Sequence, residues 1–153
     1  MPRAFDPEIV LARPLMATLG TVAADGGPRT APVWYHWEDG RLFMLGNQSG
    51  SSVRRIEADP RVTVEITDYD NAAGRLLHLG LRGRAEIRPM DPDLFRRLLA
   101  RYLGPDPARW NPWFVDTIAR IEDPAGRLIA LRPESVFTNN VSYFRTGPDL
   151  AHP

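Results

Sequence analysis

The side chains best suited to chemistry lie where an apolar segment ends and a short helix is predicted over residues 53–58. They are three serines and two arginines: Ser49, Ser51, Ser52, Arg54 and Arg55. Hydroxyl groups, free backbone N–H groups and guanidinium groups at a helix N-terminus together form a site for an anion such as phosphate. Serine also caps helices without any ligand, and arginine is common on exposed helix faces. The cluster therefore predicts either a phosphate site or a capped, solvated helix.

One histidine, His78, lies on the polar face of a predicted strand, beside Arg82 and Arg84. An imidazole exchanges a proton near neutral pH and can act as an acid or a hydrogen-bond donor. The alternative is a histidine on the surface or at a subunit interface. Because His36 and His152 are far from His78 in the sequence, we expect no histidine metal centre.

Composition argues against several kinds of chemistry. The formal net charge is zero, which argues against nucleic acid or an anionic membrane as the main partner. All nineteen basic residues are arginine, and there is no cysteine. The chain therefore has no lysine for a Schiff base or a P-loop and no thiolate for catalysis or metal binding. Any redox activity would need a bound cofactor.

The length and the hydropathy pattern predict a single domain over residues 1–153. No segment is long and apolar enough to span a membrane, and residues 1–7 lack the apolar core of a signal peptide. We therefore expect a cytoplasmic protein that does not bind membranes.

Short strands joined by turns dominate the predicted secondary structure. Three apolar segments come first: 16–23, 30–37 and 41–46. The sequences Asp25-Gly26-Gly27 and Asp39-Gly40 separate them, and such turns between apolar runs indicate hairpins. Apolar residues then alternate with polar ones over 62–67 and again over 77–88, where a glycine on each face predicts a bend.

The remaining segments predict helices and two more strands around this sheet. The helices are a short one over 7–13, one from a cap at Asp91 to a stop at Gly104, and one that begins at 111–112 and carries Phe114, Ile118 and Ile121. Residues 68–74 are predicted as a loop, and 127–132 and 135–141 as strands. The expected fold class is mainly β with α additions, of the β-barrel type.

The order and spacing of these segments, with the run Asp59-Pro60-Arg61-Val62, resemble the pyridoxamine-phosphate-oxidase-like flavoproteins. The resemblance covers residues 15–88. It implies a six-stranded antiparallel split β-barrel of the FMN-binding type. It also implies a homodimer that holds its cofactor at the subunit interface. The cofactor would be FMN, or the deazaflavin F420 or haem in other branches.

The resemblance also assigns site residues. The family's phosphate run of serine, arginine and lysine falls on Gly50, Ser51 and Ser52, so both basic positions are lost and Arg54 or Arg55 would have to replace them. The flavin ring would lie along one strand, largely on its backbone groups. Those positions are Thr30, Ala31, Pro32, Val33, Trp34 and Tyr35. Trp34 and Tyr35 are more typical of core or interface packing.

His78 falls where the family often places a glutamine that reaches the flavin, so the resemblance makes it the candidate catalytic proton donor. Three functions follow. The first is an FMN-dependent oxidoreductase acting on an unidentified small molecule. The second is a flavin-, F420- or haem-binding protein with little turnover, and the third is a dimeric barrel whose pocket has decayed. Pyridoxamine phosphate is a poor candidate substrate, because the C-terminal arginine and histidine pattern of the true oxidases is missing from 143–153.

Overall fold

The computed structural model describes residues 3–119 and 124–143. Its elements in chain order are α1 (Glu8–Leu11), β1 (Ala17–Val22), β2 (Pro28–Val33), β3 (Tyr35–Glu38), β4 (Arg41–Asn47), α2 (Ser51–Ala58), β5 (Arg61–Asp70), β6 (Arg75–Pro89), α3 (Pro92–Leu103), a 3₁₀ turn (Pro107–Arg109), α4 (Pro112–Ala119), β7 (Gly126–Leu131) and β8 (Ser135–Asn140). The predicted fold class, mainly β with α additions, is confirmed.

Eight strands form one antiparallel sheet in the order β2-β1-β5-β6-β7-β4-β3, and β8 pairs with β6 off this path. The six strands implied by the resemblance are therefore too few. One reason is Trp34, where the predicted strand over 30–37 breaks: the residues before it pair with β1 and those after it pair with β4. Among the described residues β2 and β3 each have one neighbouring strand, so the sheet does not close on itself.

Both predicted hairpin turns are present, and their backbone geometry explains their sequences. Asp39 and Gly40 have φ values of 51° and 71°, the left-handed pair that a tight hairpin turn requires. Gly26 has a φ of 80°, and the Asp25 carboxylate accepts a hydrogen bond of 2.8 Å from the Gly27 N–H. The turn between β1 and β2, which contains Gly26, forms one wall of the candidate site.

The longest strand, β6, joins the two halves of the sheet. Its first part pairs with β5 and β8, and its last five residues pair with β7. The predicted alternation is confirmed, since Leu77, Leu79 and Leu81 are all buried on one face. Gly83 lies where the pairing changes, and a Cβ there would be 3.0 Å from a Leu131 methyl and 3.2 Å from the Arg132 carbonyl oxygen. A larger residue would require Leu131 and the connection after β7 to shift by a few tenths of an ångström.

The predicted loop over 68–74 is wrong in its first half, because β5 continues to Asp70. Asp68 is buried, with 3% of its side chain exposed, and it forms ion pairs with Arg13 and Arg75. A buried carboxylate is stable only when it is paired and hydrogen-bonded. Because Arg13 is 55 residues away in sequence, the residues next to Asp68 gave no sign of this pairing, and Asp68 was predicted to lie in a loop.

The predicted helices are present with adjusted limits. The Asp91 carboxylate caps α3 by accepting from the N–H groups of Asp93 and Leu94, and Gly104 ends that helix with a φ of 96°. The N-terminal helix is shorter than predicted. The side chain of Ile118 and all of Ile121 lie outside the described residues. Within the described ranges no helix is long and apolar enough to cross a membrane.

The segment before β1 is held through its carbonyl groups. The Tyr102 hydroxyl donates to the Leu15 carbonyl oxygen at 2.7 Å, and the Tyr35 hydroxyl donates to that of Arg13 at 2.7 Å. Arg101 donates to the carbonyl oxygens of Leu11 and Arg13. These bonds tie the N-terminal segment to β3 and α3.

His36 lies between β3 and α3, and neither of its ring nitrogens has a hydrogen-bond partner among the described residues. Burial is the main cause that lowers its pKa from 6.5, and the positive charges of Arg101 and Arg97 act in the same direction. Glu38, whose carboxylate lies 3.9 Å from Nε2, opposes them. The native state therefore favours the neutral imidazole.

We predict that His36 makes the native state less stable in mild acid. The unfolded chain takes up a proton near the ordinary pKa of 6.5 whereas the folded chain resists it, so the free energy of unfolding falls as pH drops below that value. His36→Phe keeps a ring in this position and removes the titration. Urea denaturation from about pH 7.5 to about pH 5 should show stability shifting in favour of the variant as pH falls. Parallel curves would contradict the prediction.

Candidate functional site: an arginine-lined cleft

The serine-rich turn forms no side-chain cap on α2. Gly50 occupies the N-cap position, and the Ser49 hydroxyl donates to the Asn47 side-chain oxygen at 2.8 Å instead. Ser51 and Ser52 are the first two residues of the helix. The alternative in which a serine only caps the helix is therefore wrong for this structure. Helix geometry leaves the first N–H groups of α2 without acceptors inside the helix.

A cleft of about 610 Å³ opens between α2 and the turn that joins β1 to β2. Three predicted site residues lie in its wall, and they are Ser51, Arg54 and Arg55. Ser49 and Ser52 do not line it. The opposite wall is formed by backbone and small side chains of the β1–β2 turn, from Val22 to Gly26. The structure thus brings together the two arginines and one serine of the predicted anion site.

The three arginines of the cleft differ in how far they are neutralised. Arg61 is paired with Asp59 at 2.6 Å, and its hydrogen bonds are the main cause that lowers the pKa of this carboxyl to about 2. Arg55 donates from Nε to the hydroxyl oxygen of the buried Thr21 at 2.9 Å. Arg54 is exposed, and the described residues give it no hydrogen-bond or ion-pair partner. Two uncompensated positive charges therefore face this cleft.

The predicted ring-binding strand is an edge of the sheet. Among the described strands, β2 pairs with β1 alone. Pro28 and Pro32 have no N–H group and cannot donate to a neighbouring strand, so the ladder bonds to β1 fall to the alternate positions, Arg29, Ala31 and Val33. Alternation then turns the N–H and C=O groups of Thr30 away from β1. This edge offers one donor and several carbonyl acceptors to whatever lies beside it.

Trp34 and Tyr35, which end the predicted ring strand, are engaged in packing. The Trp34 ring stacks on Tyr102 with centroids 4.5 Å apart, and on Phe114 at 5.7 Å. Tyr35 is fully buried, and burial raises the pKa of its hydroxyl to about 12. Trp34 therefore packs against the cluster on α3, and Tyr35 belongs to the main core of the sheet.

His78 lies on the outer face of the sheet and does not line the cleft. Its Nε2 is 3.6 Å from a Glu65 carboxylate oxygen, and its ring meets the Phe137 ring edge to face at 5.4 Å. Glu65 pairs with Thr18, whereas the cleft residue Val22 is four residues further along β1. At about 3.3 Å per strand residue, Thr18, which lies beside Glu65, and the cleft residue Val22 are roughly 13 Å apart along β1. The catalytic role of His78 stays a prediction.

Sequence reasoning missed several residues that shape the cleft. Asp59 and Arg61 were used only to identify the family resemblance and were not predicted as site residues, yet both line the cleft. Thr21, which orients Arg55, was assigned only to a strand. The spacing of 34 residues between Thr21 and Arg55 gives no local signal of contact. Only the packing of α2 against β1 brings them together.

Comparison with known proteins places this geometry in a family. The model of the pyridoxamine 5'-phosphate oxidase family matches residues 7–140. No curated protein matches the chain in sequence.

Solved structures show the same fold. One is a conserved hypothetical protein from Mycobacterium tuberculosis, with a TM-score of 0.73 and 19% identity over 98% of this chain and 96% of that one. A second, an F420 reductase, has a TM-score of 0.65 and 29% identity over 90% of this chain and 98% of that one. A third is HutZ, a haem storage protein from Vibrio cholerae, with a TM-score of 0.64 and 19% identity over 92% and 97% of the two chains. The chain therefore belongs to the pyridoxamine 5'-phosphate oxidase family, whose split β-barrel fold it shares.

Proposed function

We propose that this protein binds a phosphate-bearing flavin-type cofactor in the arginine-lined cleft and acts as an oxidoreductase on a small molecule. Arg54 carries the proposal, because its charge has no partner among the described residues and it faces a cleft of about 610 Å³. Guanidinium groups with free N–H donors are well suited to phosphate oxygens. FMN is the first candidate, since it ends in a single phosphate group.

The residues of the cleft fit a phosphate group although two basic positions of the family are lost. Arg54 and Arg55 follow Ser51 by three and four residues, so helix geometry places them on the same side of α2. The hydrogen bond from Arg55 to Thr21 fixes one guanidinium before any ligand arrives. A phosphate would therefore meet a hydroxyl group and two arginines, one of them preorganised.

Two further groups would contribute to the proposed site: the backbone of Thr30 and the side chain of His78. The outward N–H and C=O groups of Thr30 would fix the edge of a ring through backbone bonds, which depend little on side-chain identity. His78, oriented by Glu65 and Phe137, would hold a proton on the outer face. The bound cofactor would supply the capacity to accept or donate a hydride.

F420 is the second candidate, favoured by a strip of positive charge that continues from the cleft. Arg61 lies directly opposite Arg84 across β5 and β6, and Arg82 lies on the same exposed face. Asp59 neutralises Arg61, so the charge of this strip comes from Arg82 and Arg84, which form no ion pair among the described residues. An anion lying over them would be attracted by both charges. F420 carries an acidic tail beyond its phosphate, whereas FMN does not. The resemblance to an F420 reductase at 29% identity points the same way.

We also propose a homodimer that encloses the cofactor between its subunits. The edge strand β2 is largely exposed, and the face that carries His78 also exposes Phe137. A cofactor ring held along β2 of one protomer would be exposed to water on one side. Ligand sites usually bury most of their ligand, and a two-fold dimer is the commonest way to cover such a face.

The first test is the cleft itself. Arg54→Ala and Arg55→Ala should each weaken FMN or F420 binding by about 1–3 kcal/mol, because each removes charged hydrogen bonds to phosphate. Arg109→Ala, an exposed arginine outside the cleft, is the matched control and should bind as the native protein does. Calorimetric titration with each cofactor gives the affinities. Unchanged affinity in both variants would show that this cleft does not bind the phosphate of the cofactor.

The second test separates the two cofactors. Removing both strip arginines, by Arg82→Ala together with Arg84→Ala, should weaken F420 by about tenfold and leave FMN unchanged, because only F420 has an acidic tail to meet them. Arg88→Ala, whose arginine is already paired with Glu86 at 2.7 Å, is the control. An absorbance spectrum of the protein as purified identifies a retained flavin or deazaflavin directly. A Soret band there would favour haem over both.

The third test is assembly. Light scattering at micromolar concentration should give about twice the chain mass of 17.2 kDa. Phe137→Arg on the outer face should shift the protein toward monomer and weaken cofactor binding with it. Ile9→Arg, which also replaces an exposed apolar residue, is the control. A stable native monomer that binds the cofactor with full affinity would show that the site is complete in one chain.

A further inference from the structure

A second hollow, of about 390 Å³, opens between α3 and the segment that follows it. Its wall consists largely of carbon atoms, contributed by Ala100, Pro105, Pro107, Trp110 and Val115. It shares no lining residue with the arginine-lined cleft. Its size and its apolar wall are those of a site for a small organic molecule.

The hollow is held open before any ligand arrives. Pro105 and Pro107 fix the backbone of its outer wall, since their φ angles cannot relax. The Trp110 indole N–H donates to the Gly104 carbonyl oxygen at 2.9 Å, and the residue is 6% exposed and packed with Phe95 and Leu98, so it forms a fixed part of the wall. The Asp106 carboxylate accepts from the Ala108 N–H at 3.0 Å and fixes the 3₁₀ turn. A preformed wall of this kind lowers the cost of binding.

Two guanidinium groups also lie in the wall of the hollow, and they contribute hydrogen-bond donors rather than net charge. Arg96 and Arg97 precede Ala100 by one helical turn and line the hollow with it. Each has one hydrogen-bonded carboxylate partner among the described residues: Asp93 at 3.1 Å for Arg96 and Glu38 at 2.8 Å for Arg97. A guanidinium group carries five N–H donors, so most donors of both arginines are still available.

We propose that this hollow binds a small amphiphilic anion, with an apolar or aromatic body against Trp110 and the prolines and a carboxylate at Arg96 and Arg97. A planar guanidinium group matches a carboxylate with two parallel hydrogen bonds. A neutral apolar molecule would leave the two arginines unused, and a highly charged anion would find too few polar groups. The site is separate from the cofactor cleft and does not depend on the function proposed for it.

Calorimetric titration of the full-length protein with 2-naphthoate tests the proposal, and naphthalene-2-carboxamide is the uncharged ligand of the same shape. We expect one site, with the carboxylate bound about tenfold more tightly than the carboxamide because only the carboxylate forms charge-assisted hydrogen bonds. Arg96→Gln together with Arg97→Gln should lower the affinity for 2-naphthoate to that for the carboxamide. Arg88→Gln, outside the hollow, should leave both affinities as they are.

Larger side chains that fill the hollow provide an independent test of where the ligand binds. Ala100→Phe should abolish binding of both ligands, and Val115→Phe, at a position 44% exposed in the native protein, provides the same test where folding is less at risk. Equal affinity for the two ligands would overturn the anionic part of the proposal. Native affinity in a folded Val115→Phe or Ala100→Phe variant would overturn the location, and no measurable binding to the native protein would overturn the site.

Discussion

The rest of the structure depends on one constraint: a single strand, β6, must belong to both halves of the sheet. It pairs with β5 up to Arg84, with β8 up to Arg82 and with β7 from Ala85 onward, and close to this change of partners a Cβ on Gly83 would meet Leu131 and the Arg132 carbonyl oxygen. The inward side chains of β6 alternate over its whole length, so both halves share one core. Because the sheet does not close among the described residues, β2 is left as an exposed edge. The candidate site lies beside the turn that leads into β2.

The electrostatics of the cleft follow from where its counter-charges lie. Asp59 is two residues from Arg61 and binds it with a fork of hydrogen bonds, so this pair adds little net charge. Thr21 is a neutral partner, so Arg55 keeps its charge while its position is fixed. Arg54 has no described partner at all. The cleft thus combines one neutralised, one oriented and one free guanidinium group, which is a suitable arrangement for an anion that must bind and dissociate.

Features with local causes could be predicted from the sequence. The turn at Asp39 and Gly40 and the Asp91 cap each depend on a few neighbouring residues. Features with distant causes could not. Burial of Asp68 requires Arg13, which is far away in the chain. The break at Trp34 lies within one apolar run, whose pattern does not change as the chain passes from one partner strand to another.

The candidate site shows the same division. Ser51, Arg54 and Arg55 could be predicted because they share one short helix. The facing turn and Thr21 could not, because their contact with that helix depends on how α2 packs against β1. His78 could be placed on the polar face of its strand, but its separation from the cleft became visible only through the register of β1, β5 and β6.

The displacement of the basic residues along α2 has a physical consequence for the ligand. The resemblance puts the family's basic positions on Ser51 and Ser52, three residues before Arg54 and Arg55. Three residues advance about 4.5 Å along the helix axis. The anion proposed for Arg54 and Arg55 would therefore lie further from the positive end of the helix dipole, whose influence is confined to the first turn. Guanidinium groups replace part of the attraction that backbone N–H groups would supply, and they extend toward Arg61 and the strip beyond it. In the proposed site, arginine side chains rather than the helix terminus would therefore supply most of the attraction for the anion.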